Sequence, residues 1–306
     1  MAQVTLAGMV EEWKEQGFVI LPSLLSPADL TPAVGELGLM FPSPEGFHDG
    51  TDPRRSRFLD DEFDGIDSFP FTSVEVGLLA VHPKITSLAS ELLGTSDLRL
   101  YGAEAWAKYT GATSYDQDLH RDYLNHTVLV PSTEFPQVEM FVYLVDVPEE
   151  LGPPHLVPRR LTTDLPAVPN WFPRSGPGHG DFVAAGAPAL YEHEISAAGP
   201  AGTVIAFEAG TFHRGTELRQ PRGARYSMHL CFRRAGDDWA LRSGWAVESH
   251  KPEWYSFVPR ARAPQLALLG FPPPGHPYWT PETLAGMALR YPELDLSPWR
   301  SASKPS

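Results

Sequence analysis

The stretch "RYSMHLCFR" (225–233) decides how this chain is read. In a strand, successive side chains point to opposite faces. Alternation puts Arg225, Ser227, His229 and Cys231 on one face, and Tyr226, Met228, Leu230 and Phe232 on the other. The second face is apolar and belongs against a core. The first carries a guanidinium, a hydroxyl, an imidazole and a thiol, and that face has chemistry to do. Three upstream stretches share the same aromatic and branched texture and predict strands: "LRLYGAEAWAKY" (98–109), "VEMFVYLVDV" (138–147) and "GTVIAFEA" (202–209). The chain before them reads differently. Leu6, Met9, Val10 and Trp13 recur at helical spacing and Gly17 ends the run, after which "FVIL" (18–21) predicts a short buried strand. Ser26-Pro27-Ala28-Asp29 is a helix start, with a cap, a proline in the first position and an acid in the first turn. "FTSVEVGLLAVHPKITSLASELLG" (71–94) predicts two helices broken at Pro83 and closed by Gly94. Residues 41–70 predict a long irregular loop, within which "LDDEFDGID" (59–67) is a solvated acidic run, and 150–200 predicts Pro/Gly-rich connections. The stretch after 250 is dense in Pro and Trp, with one helix expected from Pro281 to Arg290, capped by Thr280.

Helices first and strands afterwards predict a mainly β fold, with helices packed outside an antiparallel core. No linker splits the chain. The expectation is one domain over 1–306: a helical part over about 1–95, a β core over about 97–235 and a C-terminal extension over 236–306.

At 42% hydrophobic and 11% aromatic residues, the 306-residue chain can bury a sizeable core. Its formal charge of −14 argues against a general nucleic-acid or anionic-membrane binder. The single cysteine, Cys231, excludes an intrachain disulfide and a Cys-rich zinc site. The opening "MAQVTLAGMVEEWKEQG" lacks the basic start and apolar core of a signal peptide. No run approaches the roughly 18 apolar residues that cross a bilayer. These features predict a cytoplasmic protein whose partner is a small molecule, not nucleic acid or membrane.

Metal chemistry enters with "DLHRDYLNH" (118–126). Residues i and i+2 of an extended segment point the same way, so His120 and Asp122 can present an imidazole and a carboxylate to one point. A second pair, His179 and Asp181, lies in the Gly/Pro loop "RSGPGHGDF" (174–182), which has nothing rigid to hold ligands. His120 instead precedes "YLNHTVLV" (123–130), an expected strand, while His126 within it reads as structural. A third donor, His213, follows a Gly-led strand and a short turn in "GTVIAFEAGTFHRG" (202–215). Two imidazoles and a carboxylate form the facial triad of non-heme Fe(II) oxygenases; a zinc site with a bound water is the alternative. Arg225 and Ser227, two apart and facing inward, form a carboxylate grip in which the guanidinium supplies a fork and the hydroxyl a further bond. A zinc hydrolase has no particular need for that grip. An oxygenase that uses 2-oxoglutarate does, because the distal carboxylate of that co-substrate requires a cationic anchor.

In these motifs the chain resembles the phytanoyl-CoA dioxygenase family of Fe(II)/2-oxoglutarate oxygenases. "EEWKEQGFVILPSLLSPADL" (11–30) is similar to the family's opening, and "LHRD" (119–122) to its proximal ligand motif. "VYLVDVPEELGPPHLVPRR" (142–160) resembles a family strand and loop, with Arg159-Arg160 in place of the usual Ser-His ending. "GTVIAFEAGTFHRG" resembles the strand carrying the distal histidine, and "RYSMHLCF" the strand carrying the co-substrate arginine. The resemblance covers most of residues 8–235. It implies a double-stranded β-helix, the cupin-like jelly roll, with Fe(II) held by His120, Asp122 and His213, and with 2-oxoglutarate and O2 as co-substrates. It implies that Arg225 binds the 2-oxoglutarate carboxylate with help from Ser227; Arg222, nearer the loop, is the fallback. Lys108, Tyr101 and His229 are the further pocket-lining candidates, the first because "AKYTG" (107–111) stands where family members carry a similar lysine motif. The implied reaction is hydroxylation or another oxidation of a small molecule, such as a secondary metabolite or amino-acid-like compound, with succinate and CO2 as co-products. A carboxylate at 122 argues against halogenation, since halogenating relatives carry Gly or Ala there. A non-catalytic cupin-like binding protein is the alternative.

Overall fold

The computed structural model describes residues 6–59, 64–112, 115–122, 136–163, 182–183, 188–237, 252–279, 281, 284, 287–288 and 291–302. Its centre is a pair of facing antiparallel sheets. The larger, six-stranded, has the order β1(Phe18–Leu21), β9(Val204–Glu208), β5(Gln137–Tyr143), β11(Ala224–Arg234), β3(Leu98–Tyr109), β2(Asp67–Ser68). The smaller has the order β7(Phe182–Val183), β4(Leu119–His120), β10(His213–Arg214), β6(His155–Leu156), β8(Ile195–Ser196). From β3 to β11 the chain crosses repeatedly between the two: β3, β5, β9 and β11 lie in the large sheet, while β4, β6 and β10 between them lie in the small one. That alternation is the winding of a double-stranded β-helix.

The pleat of β11 sorts the sequence as its pattern predicts. Tyr226, Met228, Leu230 and Phe232 join the main core on the outer side, together with Ala103, Ala105 and Ala107 of β3 and Val138, Met140 and Val142 of β5. Helices cover this outer face. α5(Val74–Ala80) and α6(Pro83–Leu93) are the two helices expected around Pro83, and Gly94 closes α6 in the left-handed conformation at φ 68°. α6 buries Ile85, Leu88, Ala89, Leu92 and Leu93. α1(Leu6–Gln16) and α2(Pro27–Gly35) flank the same side. α2 begins with a reciprocal capping box between Ser26 and Asp29.

Two expectations need correction. Residues 41–70 are not an irregular loop. α3(Leu37–Met40) is followed by α4(Pro44–His48), a 3-10 turn over Pro53–Phe58, and β2. Ser43 and Asp52 cap these short elements, each followed by a proline in the first turn, and Phe47 stacks on Tyr109 of β3 at 3.9 Å. Each Ser-Pro or Asp-Pro pair was a helix start that the overall Pro/Gly/Asp content concealed. Residues 150–200 also carry structure where they are described: β6, β7, α7(Pro188–Tyr191) and β8. The expected strand at 123–130 and His126, the pair His179/Asp181, Thr280 and four residues of the acidic run (60–63) lie outside the described residues. Pro281, Leu284, Met287 and Ala288 of the expected C-terminal helix are helical. The C-terminal segment contributes α8(Pro252–Phe257), α9(Ala263–Ala267) and α10(Ser297–Ala302). Its tryptophans are packing residues: Trp254, Trp279 and Trp299 are buried in the main core, and each indole N–H donates to a protein oxygen.

Candidate functional site

A cavity of about 370 Å3 opens between the two sheets. Its large-sheet wall is the inner face of three strands. β3 supplies Glu104, Trp106 and Lys108, β5 supplies Phe141 and Tyr143, and β11 supplies Arg225, Ser227 and His229. Each set is spaced by two, as one face of a pleat requires. The small sheet supplies His120 and His213, with Asp122 just beyond β4.

Register brings the two histidines together. His213 of β10 is the direct cross-strand partner of His120 on β4, and their ring centroids are 4.7 Å apart. Asp122 sits between them: one carboxylate oxygen is 3.9 Å from His120 Nε2 and the other 3.4 Å from His213 Nε2. One donor atom from each of the three lies within 4.8 Å of the others. Arg121, between the two ligand candidates in sequence, turns away and lies over the Phe212 ring at 4.7 Å.

The backbone sets the tautomer of both imidazoles. His120 Nδ1 lies 2.8 Å from the Asp118 carbonyl oxygen, and His213 Nδ1 lies 3.1 Å from that of Thr211. A carbonyl can only accept, so each Nδ1 carries the proton and donates it. Each Nε2 is thereby the ring nitrogen turned toward Asp122, where a metal ion would take the place of a proton. The turn holding His213 is itself fixed: Thr211 N donates to Glu208 O at 2.9 Å, and Thr211 Oγ1 donates to Gly17 O at 2.9 Å. Burial alone raises the Asp122 carboxyl, but the His213 and His120 imidazoles outweigh it and hold the group well below the usual carboxylate range. Burial works against a charge on His213, and Asp122 overcomes it, so that imidazole is raised. A carboxylate kept anionic between two imidazoles is a donor set suited to a divalent cation.

Arg225 and Ser227 are 8% and 7% exposed and both line the cavity. Lys108 lines it too and is the direct cross-strand partner of Arg225. The two cations thus stand side by side on the cavity wall. Arg222, the fallback anchor, is on the surface and pairs with Asp49 at 2.7 Å, away from the cavity. Tyr101 does not line the cavity. The β3–β11 register skips from Gly102 to Leu100, so Tyr101 is the extra residue of a bulge, and its hydroxyl donates to Gln137 Oε1 at 3.2 Å. His229 does line the cavity, and its Nε2 lies 2.8 Å from Glu139 Oε2.

Sequence reading missed Glu104, Trp106, Phe141 and Tyr143. Strand parity, counted back from Lys108 on β3 and across to β5, would have found them. Gln117 also lines the cavity and accepts from Gly215 N at 2.9 Å; it stands in a connection with no periodicity to reveal it.

No family model matches the chain, and no curated protein matches it. Solved structures do resemble it. The epimerase SnoN, in complex with Fe3+, alpha ketoglutarate and nogalamycin RO, superposes with a TM-score of 0.54 at 21% identity, covering 75% of this chain and 84% of that one. The non-heme alpha ketoglutarate dependent carbocyclase SnoK from nogalamycin biosynthesis gives 0.51 at 19% identity, covering 74% and 83%. EctD from S. alaskensis in its apoform gives 0.53 at 16% identity, covering 78% and 82%. At these identities the likeness establishes the shared fold.

Proposed function

We propose that the chain is a non-heme Fe(II)/2-oxoglutarate-dependent oxygenase acting on a small organic molecule. One observation carries the reading: the donor atoms of His120, Asp122 and His213 converge on a cavity whose opposite wall holds Arg225 and Ser227. Two imidazoles and one carboxylate are a donor set that would hold Fe(II). When bound, that iron supplies the coupling between oxidative decarboxylation of 2-oxoglutarate, giving succinate and CO2, and oxidation of the substrate by O2.

The residues of the chain do the rest. Asp122 contributes the one negative charge of the triad, and the carbonyls of Asp118 and Thr211 keep both histidines oriented. Arg225 offers a guanidinium fork to the distal carboxylate of 2-oxoglutarate, with the Ser227 hydroxyl beside it. Trp106, Phe141, Tyr143 and Ile66 make much of the remaining lining apolar and exclude water from the reacting carbon. Glu104 and Gln117 add polar groups to the same lining that can contact a substrate. The solved structures of similar fold named above include an epimerase and a carbocyclase of nogalamycin biosynthesis, and a natural-product substrate is our reading for this chain as well. The carboxylate at 122 favours hydroxylation, desaturation or rearrangement over halogenation.

The test is anaerobic addition of Fe(II) and then 2-oxoglutarate to metal-free protein. The visible charge-transfer band of the chelate should form in the wild type and be absent in His120→Ala and His213→Ala. A folded wild-type protein that forms no such band, and no succinate in air, would be a binding protein instead.

A further inference from the structure

Behind the cavity wall stands a second group of donors that the proposed reaction does not use. Glu139 of β5 and Cys231 of β11 are direct cross-strand partners, and His229 is two residues along β11 on the same inner face. All three are buried, at 1%, 1% and 6% exposure. His229 Nε2 lies 2.8 Å from Glu139 Oε2 and 3.8 Å from Cys231 Sγ. One donor atom from each of the three lies within 4.8 Å of the others.

The geometry decides among uses of a Cys, a His and a Glu. In a nucleophilic relay the imidazole addresses the thiol through one nitrogen and the carboxylate through the other. Here Nε2 faces both partners, so no proton can pass along the chain Cys–His–Glu. Three donor atoms meeting at one point is the arrangement a cation organises. Zinc bond lengths at a tetrahedral angle place N and O donors about 3.4 Å apart and N and S donors about 3.6 Å apart. The observed 2.8 and 3.8 Å differ from those values by about 0.6 and 0.2 Å, so an ion must part the His229–Glu139 pair slightly on binding.

We propose that Glu139, His229 and Cys231 form a second metal site, for a thiophilic divalent cation of the zinc type. Thiolate, imidazole and carboxylate are all zinc donors, and three protein ligands leave one position open. On binding, the thiol gives its proton to solvent, the proton between His229 Nε2 and Glu139 Oε2 leaves that position, and the neutral imidazole carries its proton on Nδ1. One thiolate and one carboxylate then neutralise the doubly charged ion, which burial demands. The entry path exists, because His229 lines the cavity. Phe141 and Phe207 contact both sites: their ring centroids lie 4.9 and 6.3 Å from His229, and 6.2 and 4.7 Å from His213. An ion here would stiffen the rings against which His213 packs. The site does not depend on the oxygenase reading.

The experiment is titration of metal-free, folded protein with Co2+, following the near-ultraviolet thiolate-to-cobalt charge-transfer band. Cys231 is the chain's single cysteine and the other donor set has no sulfur, so that band reports this site alone, while the 2-oxoglutarate chelate band reports the other. We expect the band to saturate at one thiolate-bound cobalt per chain and to vanish in Cys231→Ser. Glu139→Gln should weaken that cobalt at least about tenfold. Equilibrium dialysis against Zn2+ should find one ion fewer per chain in Cys231→Ser than in the wild type. Saturation with cobalt and no thiolate band, circular dichroism showing the protein folded, would overturn the proposal and leave His229–Glu139 a buried polar pair beside a packed thiol.

Discussion

Removing the Arg225 guanidinium tests the co-substrate grip most directly. The side chain is 8% exposed and lies in the cavity wall beside Ser227 and Lys108. Truncating one partner of a buried, hydrogen-bonded charge pair costs about 2–5 kcal/mol, much of it from the partner left behind. The 2-oxoglutarate carboxylate would keep Lys108 as a neighbour, so the lower part of that range applies. A loss of about 2–3.4 kcal/mol corresponds to roughly 30- to 300-fold weaker binding at 1.4 kcal/mol per decade. Arg225→Lys keeps the charge and loses the fork; a loss of about 1.5 kcal/mol, roughly tenfold, is expected. The assay is the anaerobic chelate band titrated with 2-oxoglutarate at saturating Fe(II). Arg222→Ala is the control: its exposed pair with Asp49 is worth little, and binding should stay within about twofold of wild type. If Arg225→Ala binds 2-oxoglutarate within about threefold of wild type, or if Arg222→Ala is weakened equally, the grip has been placed wrongly.

Asp122→Ala and His213→Ala should each lower succinate formation at least about 100-fold while far-ultraviolet circular dichroism stays that of the wild type; retained turnover in either would remove that residue from the ligand set. Gly17→Ala should destabilise the fold by about 2–3 kcal/mol in urea, since a left-handed residue with a side chain costs about 1–2 kcal/mol and the rest comes from crowding. Gly17 has φ 80°, and a Cβ there meets Thr211 Oγ1 at 2.9 Å. Because Thr211 orients His213, iron affinity should fall as well, and an unchanged urea midpoint would contradict this account of the turn. His155 supplies a pH test. Its hydrogen bond to Glu194, opposed by burial and aided by Glu149, raises the imidazole above 6.5. The folded state therefore holds that proton more tightly than the unfolded chain does. The stabilisation is complete below 6.5 and is lost as pH rises through the raised value. The urea midpoint of wild type should fall relative to that of His155→Gln across this window, and parallel midpoints would show that the pair contributes nothing.

Legibility followed periodicity. The long strands β3 and β11 and the helices around Pro83 came directly from alternation and from one breaker, because each repeats its signal over many residues. The ligand strands are another matter. β4 and β10 are two residues each, too short for any period, and His120 and His213 were legible only as a His-x-Asp pair and as a histidine after a turn. Their meeting depends on a register between residues 93 positions apart in sequence, which local pattern cannot encode. Short caps defeated the reading of 41–70, where Ser43 and Asp52 each start an element of only five or six residues. Tyr101 has the opposite parity to Lys108 on β3, so alternation itself argues against a cavity position, and the bulge that carries it was not legible in the sequence.

The same contrast separates two jobs within the site. The metal candidates stand on minimal strands whose imidazoles are aimed by backbone carbonyls and by a turn tied to Gly17. The grip and the wall stand on strands of seven to twelve residues, buried on the outer face and lining the cavity on the inner one, where parity alone aims the side chains. Wall residues on the inner face can therefore change without disturbing the outer core, because Ala103, Ala105 and Ala107 carry the packing of β3 while Glu104, Trp106 and Lys108 face the cavity. On the metal side the constraint falls on turn geometry: the carbonyls of Asp118 and Thr211 orient the imidazoles, and the Thr211 hydroxyl is held by the carbonyl of Gly17, whose positive φ and close approach exclude a side chain. On the proposed reading, substrate choice would be set by alternate positions on β3 and β5, and metal retention by two turns.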